Sequence, residues 1–154
     1  MDGIDNQITA STASAFTVNH LDLEPLESAL SALNRGLKRA LASPDDEELR
    51  DACIQRFEFT YELSWRMLKR RLELDLPTPD RFDGMSFRTL MRIGNEYGLI
   101  ANPSHWFVYR DKRNITSHTY NAAKAAEVFA ILPEFAESAR LLLQALKEKE
   151  NQDA

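Results

Sequence analysis

The chain has 154 residues, of which 44% are hydrophobic and 28% charged, with only five glycines and six prolines. That composition fits a single globular helical domain and disfavours a loop-rich β sandwich. A formal net charge of −5 excludes a broadly basic, nucleic-acid-coating surface while leaving room for a small basic site. A lone cysteine, Cys53, excludes an internal disulfide, and no apolar run is long enough to span a bilayer; a cytoplasmic location without membrane contact is expected.

Residues 1–20 are rich in Ser, Thr, Asn and Ala without a lasting apolar period, and read as a flexible leader. The folded unit is expected over 21–148, with 149–154 as a disordered tail. A first helix is predicted from Glu24 to Ala42, with Pro25 in its first turn and Leu26, Leu30, Leu33, Leu37 and Leu41 on one face. Ser43-Pro44-Asp45 stops it, and Asp45 or Asp46 can cap the next. The second helix spans about Glu47 to Leu74 and carries Ile54, Phe57, Tyr61, Trp65, Leu68 and Leu72 as its main stripe. Phe59, Leu63 and Met67 form a second stripe. Two apolar faces imply either a central helix or a contact with another subunit, and the subunit reading is slightly preferred.

Pro77, Pro79 and Gly84 then break the pattern. A short helix is predicted near Ser86–Tyr97, with Gly98 as its stop. Pro103-Ser104 opens a further helix carrying Trp106, Tyr109 and Arg113, and the chain is expected to bend near Thr116-Ser117, where cap-forming residues cluster. The last helix runs from about Ala122 to Lys147, kinked or broken by Pro133. The fold class is all-α: an antiparallel four-helix up-and-down bundle with an additional short helix.

The densest chemistry lies in Arg113-Asn114-Ile115-Thr116-Ser117-His118-Thr119-Tyr120. At about 100° per residue, a straight helix would point Arg113 and His118 roughly 140° apart. The groups converge only if the helix frays, if the guanidinium swings across, or if two copies pair in a dimer. Arg113 can grip a phosphate through its planar fork and stabilise charge on a phosphorane-like transition state. His118, with an ordinary pKa of about 6.5, can activate a ribose 2′-hydroxyl or protonate a leaving 5′-oxygen. That set suffices for RNA cleavage without a metal, ending in a 2′,3′-cyclic phosphate. The competing structural reading is that Arg, Asn and His merely brace bundle helices, and spacing alone favours it.

Arg113-Asn114-x-x-x-His118-x-Tyr120 resembles the R-x4-H-x-Y motif of HEPN proteins of the HepT type, often called nucleotidyltransferase substrate-binding proteins. Ile54-Gln55-Arg56-Phe57-Glu58-Phe59-Thr60-Tyr61-Glu62-Leu63-Ser64-Trp65 and the spacing of Trp106 before Arg113-Asn114 are similar to the same subgroup. The resemblance covers roughly Leu26 to Leu146 and implies an HEPN-like bundle over 21–148. It implies a homodimer encoded beside a minimal nucleotidyltransferase. In the toxin–antitoxin branch it implies an RNA-cleaving toxin with Arg113 and His118 as catalytic pair, silenced by AMPylation of Tyr120. The alternative is a non-catalytic subunit that holds substrate or nucleotide for the partner transferase. A third reading is a structural helical dimer.

Around that octet, Asn114 and Glu58 are read as supporting residues, Glu58 reaching Arg113 or Asn114 across the bundle. Glu62 is expected to pair with Arg66. Tyr109 and Trp106 are candidate cleft-lining residues, although both tryptophans sit on apolar stripes that favour core packing. No metal site and no cofactor are expected, and His20 and His105 have no convergent partners that would make a site.

Overall fold

The computed structural model describes residues 20–153, so the expected leader lies outside the described residues apart from His20. Helix α1 spans Glu24–Ala42, with Pro25 in its first turn. Its inward stripe is Leu26, Leu30, Leu33 and Leu37, continued by Ala40. Leu41, expected on that face, is 58% exposed, because the three-residue step from Leu37 keeps Ala40 inward as the helix ends.

Helix α2 spans Glu47–Asp75, and the Asp46 side chain accepts a bond from the Leu49 amide at 3.1 Å. This cap satisfies one of the first-turn donors, and Glu47 and Glu48 complement the positive helix end. A 3-10 turn at Pro79–Phe82 leads to α3, Phe87–Glu96, capped by Ser86 Oγ on the Thr89 amide. Gly98 ends that segment with φ +76°, a conformation that side-chain-bearing residues resist, and the Leu99 and Ile100 amides both bond back to the Gly94 carbonyl.

Helix α4 spans Pro103–Asn114, and a 3-10 turn follows at Thr116–His118, where the cap-forming residues predict a bend. Asn121 caps α5, Ala122–Ala130, by accepting bonds from the Ala123 and Lys124 amides. The chain then breaks at Ile131, and α6 runs over Leu132–Asp153. Pro133 falls in the first turn of α6, where its missing N–H is tolerated.

No strand occurs among the described residues, and the chain folds as the all-α bundle expected, with α3 the additional short helix. Helix α2 lies at its centre, packing along α1 and α6 and touching α3, α4 and α5. The core joins these layers through aromatic contacts: Phe57 meets the edge of Phe135 at 4.8 Å, and Tyr109 lies 5.3 Å from Phe135. Central position does not absorb the second stripe of α2. Phe59 is 66% exposed, and Leu63 and Met67 are half-buried.

The expected disordered tail at 149–154 is corrected, since α6 stays helical through Asp153. The reason is Arg71, buried on α2, which bonds Asp75 and Glu150. A buried guanidinium requires such compensation. Glu150 also accepts from the Leu21 amide and pairs with His20 at 2.7 Å.

Candidate functional site

The end of α4 sets the site. Arg113 lies in the last turn of that helix, and its guanidinium bends back toward α2. There Nη1 stands 3.8 Å from Glu58 and Nε stands 3.7 Å from Glu62. Both separations are ion-pair contacts, too long for hydrogen bonds. The fork's direct bond is from Nη1 to Thr116 Oγ1 at 3.0 Å, while that hydroxyl donates to the Arg113 carbonyl at 2.8 Å. Arg113 Nε is buried and, among the described residues, has no hydrogen-bond partner.

Glu58 therefore reaches Arg113 across the bundle, at ion-pair distance. Glu62 does so too, beyond its expected ion pair with Arg66 at 3.6 Å. Glu62 also accepts from Trp65 Nε1 at 3.1 Å. One carboxylate thus orients both a cation and an indole, a role that a one-turn ion-pair reading of α2 misses.

His118 and Tyr120 take a different position. Both are exposed on the connection between α4 and α5, with ring centroids 6.3 Å apart. Tyr120 is 88% exposed. Within one chain, Arg113 is engaged by Glu58, Glu62 and Thr116, whereas His118 lies with Tyr120.

A cavity of about 450 Å³ opens next to Arg113. Arg113 and Asn114 line it together with Tyr61, Glu62, Trp65 and Lys69 of α2. Phe87 and Arg110 line it as well, and the segment after the 3-10 turn at Pro79–Phe82 contributes Gly84 and Met85. Burial raises the Tyr61 phenol well above its ordinary value, with nearby Arg110 pulling in the opposite direction, so this hydroxyl keeps its proton.

Two expected lining residues are corrected. Tyr109 and Trp106 are buried in the core, where Tyr109 Oη and Ser138 Oγ share a 2.6 Å hydrogen bond and Trp106 packs edge-on against Tyr109. Each stands one turn before a cavity arginine, Trp106 before Arg110 and Tyr109 before Arg113, yet their rings turn inward onto Phe135 and Ser138 of α6 while the longer arginine side chains reach the cavity. Trp65 goes the other way: it lies on the main stripe of α2 yet is half-buried and lines the cavity. His105 lies 3.3 Å from Glu134. Among the described residues no group of three or more His, Cys, Asp or Glu is placed to hold a metal ion, and no helix is long and apolar enough to cross a membrane.

The family described as nucleotidyltransferase substrate binding protein like matches residues 21–148. The chain belongs to that family. It is 42% identical to a probable ribonuclease HepT of Haemophilus influenzae over 101 residues, which are 66% of this chain and 69% of the relative. Among solved structures, it resembles a Haemophilus influenzae protein described as having the fold of a substrate binding domain of a nucleotidyltransferase. The TM-score is 0.78 at 35% identity, covering 82% of this chain and 99% of that one. A Thermus thermophilus protein matches with a TM-score of 0.61 at 31% identity, over 79% of this chain and 98% of the other. Membership in the family agrees with the all-helical order of the chain.

Proposed function

We propose that this chain is the HepT-like component of a two-gene nucleotidyltransferase module, an endoribonuclease toxin of the cytoplasm silenced by AMPylation of Tyr120. The observation that carries this reading is the pairing of an exposed Tyr120 with an exposed His118, one short turn beyond Arg113. The name of the Haemophilus relative, a probable ribonuclease, supports it.

In this reading Arg113 binds the scissile phosphate of an RNA strand and stabilises charge as it develops there. His118 takes the proton of the ribose 2′-hydroxyl, or a second copy's His118 delivers one to the leaving 5′-oxygen. The 2′-oxygen bonds to phosphorus and the bond to the 5′-oxygen breaks, leaving a 2′,3′-cyclic phosphate and a 5′-hydroxyl. A homodimer brings the two sets of groups into one cleft. The ridge of exposed Phe59 and half-buried Leu63, which runs beside Glu58, Glu62 and Arg113, supplies its seam. A minimal nucleotidyltransferase joins the Tyr120 oxygen to the α-phosphorus of ATP; the phenol loses its proton and pyrophosphate departs. The attached AMP sets a negative charge and a bulky base next to His118, which blocks the substrate phosphate.

Induced expression of the wild-type chain slows growth and leaves RNA fragments with cyclic phosphate ends. His118→Ala and Arg113→Ala each lower cleavage about a hundredfold or more and restore growth. Co-expression with the nucleotidyltransferase places AMP on Tyr120, read by peptide mass spectrometry. A second reading, a non-catalytic subunit holding a nucleotide for the transferase, is favoured by the cationic cavity. Intact RNA and normal growth with the wild-type chain decide for it.

A further inference from the structure

We infer that the cavity beside Arg113 is a nucleotide subsite, in which Trp65 and Phe87 take an aromatic base while Lys69 and Arg110 take its phosphate. The inference deepens the proposed function, on which it rests for its choice of an RNA strand as the source of that nucleotide. It also assigns work to residues that lie outside the Arg113, His118 and Tyr120 set.

Charge comes first. Lys69, Arg110 and Arg113 line the cavity against one carboxylate, Glu62, in a chain whose net charge is −5. Positive groups concentrated in a concave site on an acidic protein select an anion. Glu62 is already committed to the Trp65 indole and to Arg113, so it orients the site's own groups. Arg113 Nε is buried against Glu62, so Arg113 meets a ligand only through the part of its side chain that stays open, about one third of it.

The aromatic groups narrow the anion to one bearing a flat ring. Trp65 is half-buried at the cavity, and its Nε1 bond to Glu62 fixes the indole plane. Phe87 also lines the cavity, 6.0 Å from Tyr61 and with the Arg110 guanidinium 5.3 Å from its centroid. The Arg66 guanidinium lies 5.5 Å from the Trp65 ring centroid, so a base entering beside the half-buried indole stacks on the part that lines the cavity, and such stacking tolerates any base. A volume of about 450 Å³ lies within the range of small-ligand sites. A simple inorganic anion would leave the cavity's aromatic wall without a contact, and an apolar ligand would desolvate Lys69 and Arg110 without supplying a counter-charge.

The test titrates the full-length chain at low salt with fluorescein-labelled 2′-O-methyl oligoribonucleotides of A, C, G or U, followed by anisotropy, with AMP as competitor. The 2′-O-methyl group removes the hydroxyl needed for cleavage. Saturable binding is expected. Trp65→Ala weakens it about fivefold to a hundredfold, the range of one base–aromatic stack, while Trp65→Phe keeps most of the affinity. Lys69→Gln weakens binding and makes the salt dependence shallower by roughly one phosphate contact. Displacement of the oligonucleotide by AMP assigns the site to a free mononucleotide; binding that AMP does not displace assigns it to the strand. The inference is overturned if neither probe binds, or if Trp65→Ala and Lys69→Gln, folded by circular dichroism, bind as tightly as wild type. Because the probe cannot be cut, that failure leaves the growth and cleavage tests of the proposed function untouched.

Discussion

At the scale of single residues, the site depends on side chains held by partners that chain position alone does not reveal. Glu58 is legible as a neighbour of Arg113 because it flanks the buried stripe of α2. The double engagement of Glu62 is not, because a one-turn neighbour, Arg66, offers a sufficient local explanation. Tyr61 yields a residue-scale prediction. Burial raises its phenol above the ordinary value, and burial raises the Cys53 thiol and the Tyr109 phenol as well. At neutral pH folded and unfolded chains both hold these protons, so stability is unaffected. As pH climbs past about 9 to 10, the unfolded chain releases them first and stability falls. Denaturant titrations at rising pH should show that fall, and Tyr61→Phe should make it shallower.

At the scale of elements, helix ends and breaks are readable because each is set within a turn or two of the chain. Asp46, Ser86 and Asn121 cap as cap chemistry requires, Gly98 ends a segment, and Pro133 splits the last helix. The end of α6 is not readable in that way, because Glu150 is fixed by Arg71, which lies on another helix. Glu150→Ala should therefore cost about 1.5–3 kcal/mol, the range for hydrogen bonds to a charged group, and loosen the last turns of α6 in amide exchange. Gly94 reports on α3 in the same way. A Cβ there would approach Ile100 Cγ1 to 2.9 Å and the Leu68 methyls to 3.1 and 3.2 Å, all on buried side chains. Gly94→Val should lower the unfolding free energy by about 1–3 kcal/mol through overpacking, measured by urea titration.

At the scale of the whole molecule, the exposed Phe59 of α2 and the different partners of Arg113 and His118 bear on assembly. Phe59 and Leu63 lie next to the carboxylates that hold Arg113, so the proposed seam and the proposed cleft share a wall. Phe59→Lys should shift the chain toward monomer in analytical ultracentrifugation and, if the cleft needs two copies, lower RNA cleavage in step. A monomeric variant with full activity would sever that link.

The sequence by itself determined the helices, their caps and breaks, and the short motif that carries Arg113, His118 and Tyr120. Those features depend on near neighbours and on the helical repeat, which any reader of the chain can count. Tertiary structure alone decided that Trp65, Lys69, Arg110 and Arg113 share a cavity, and that Tyr109 and Trp106 do not. The cavity residues come from helices distant along the chain, and on α4 side chains one turn apart, such as Tyr109 and Arg113, end against different neighbours. Helical periodicity records that a face is apolar, but not which neighbour covers it.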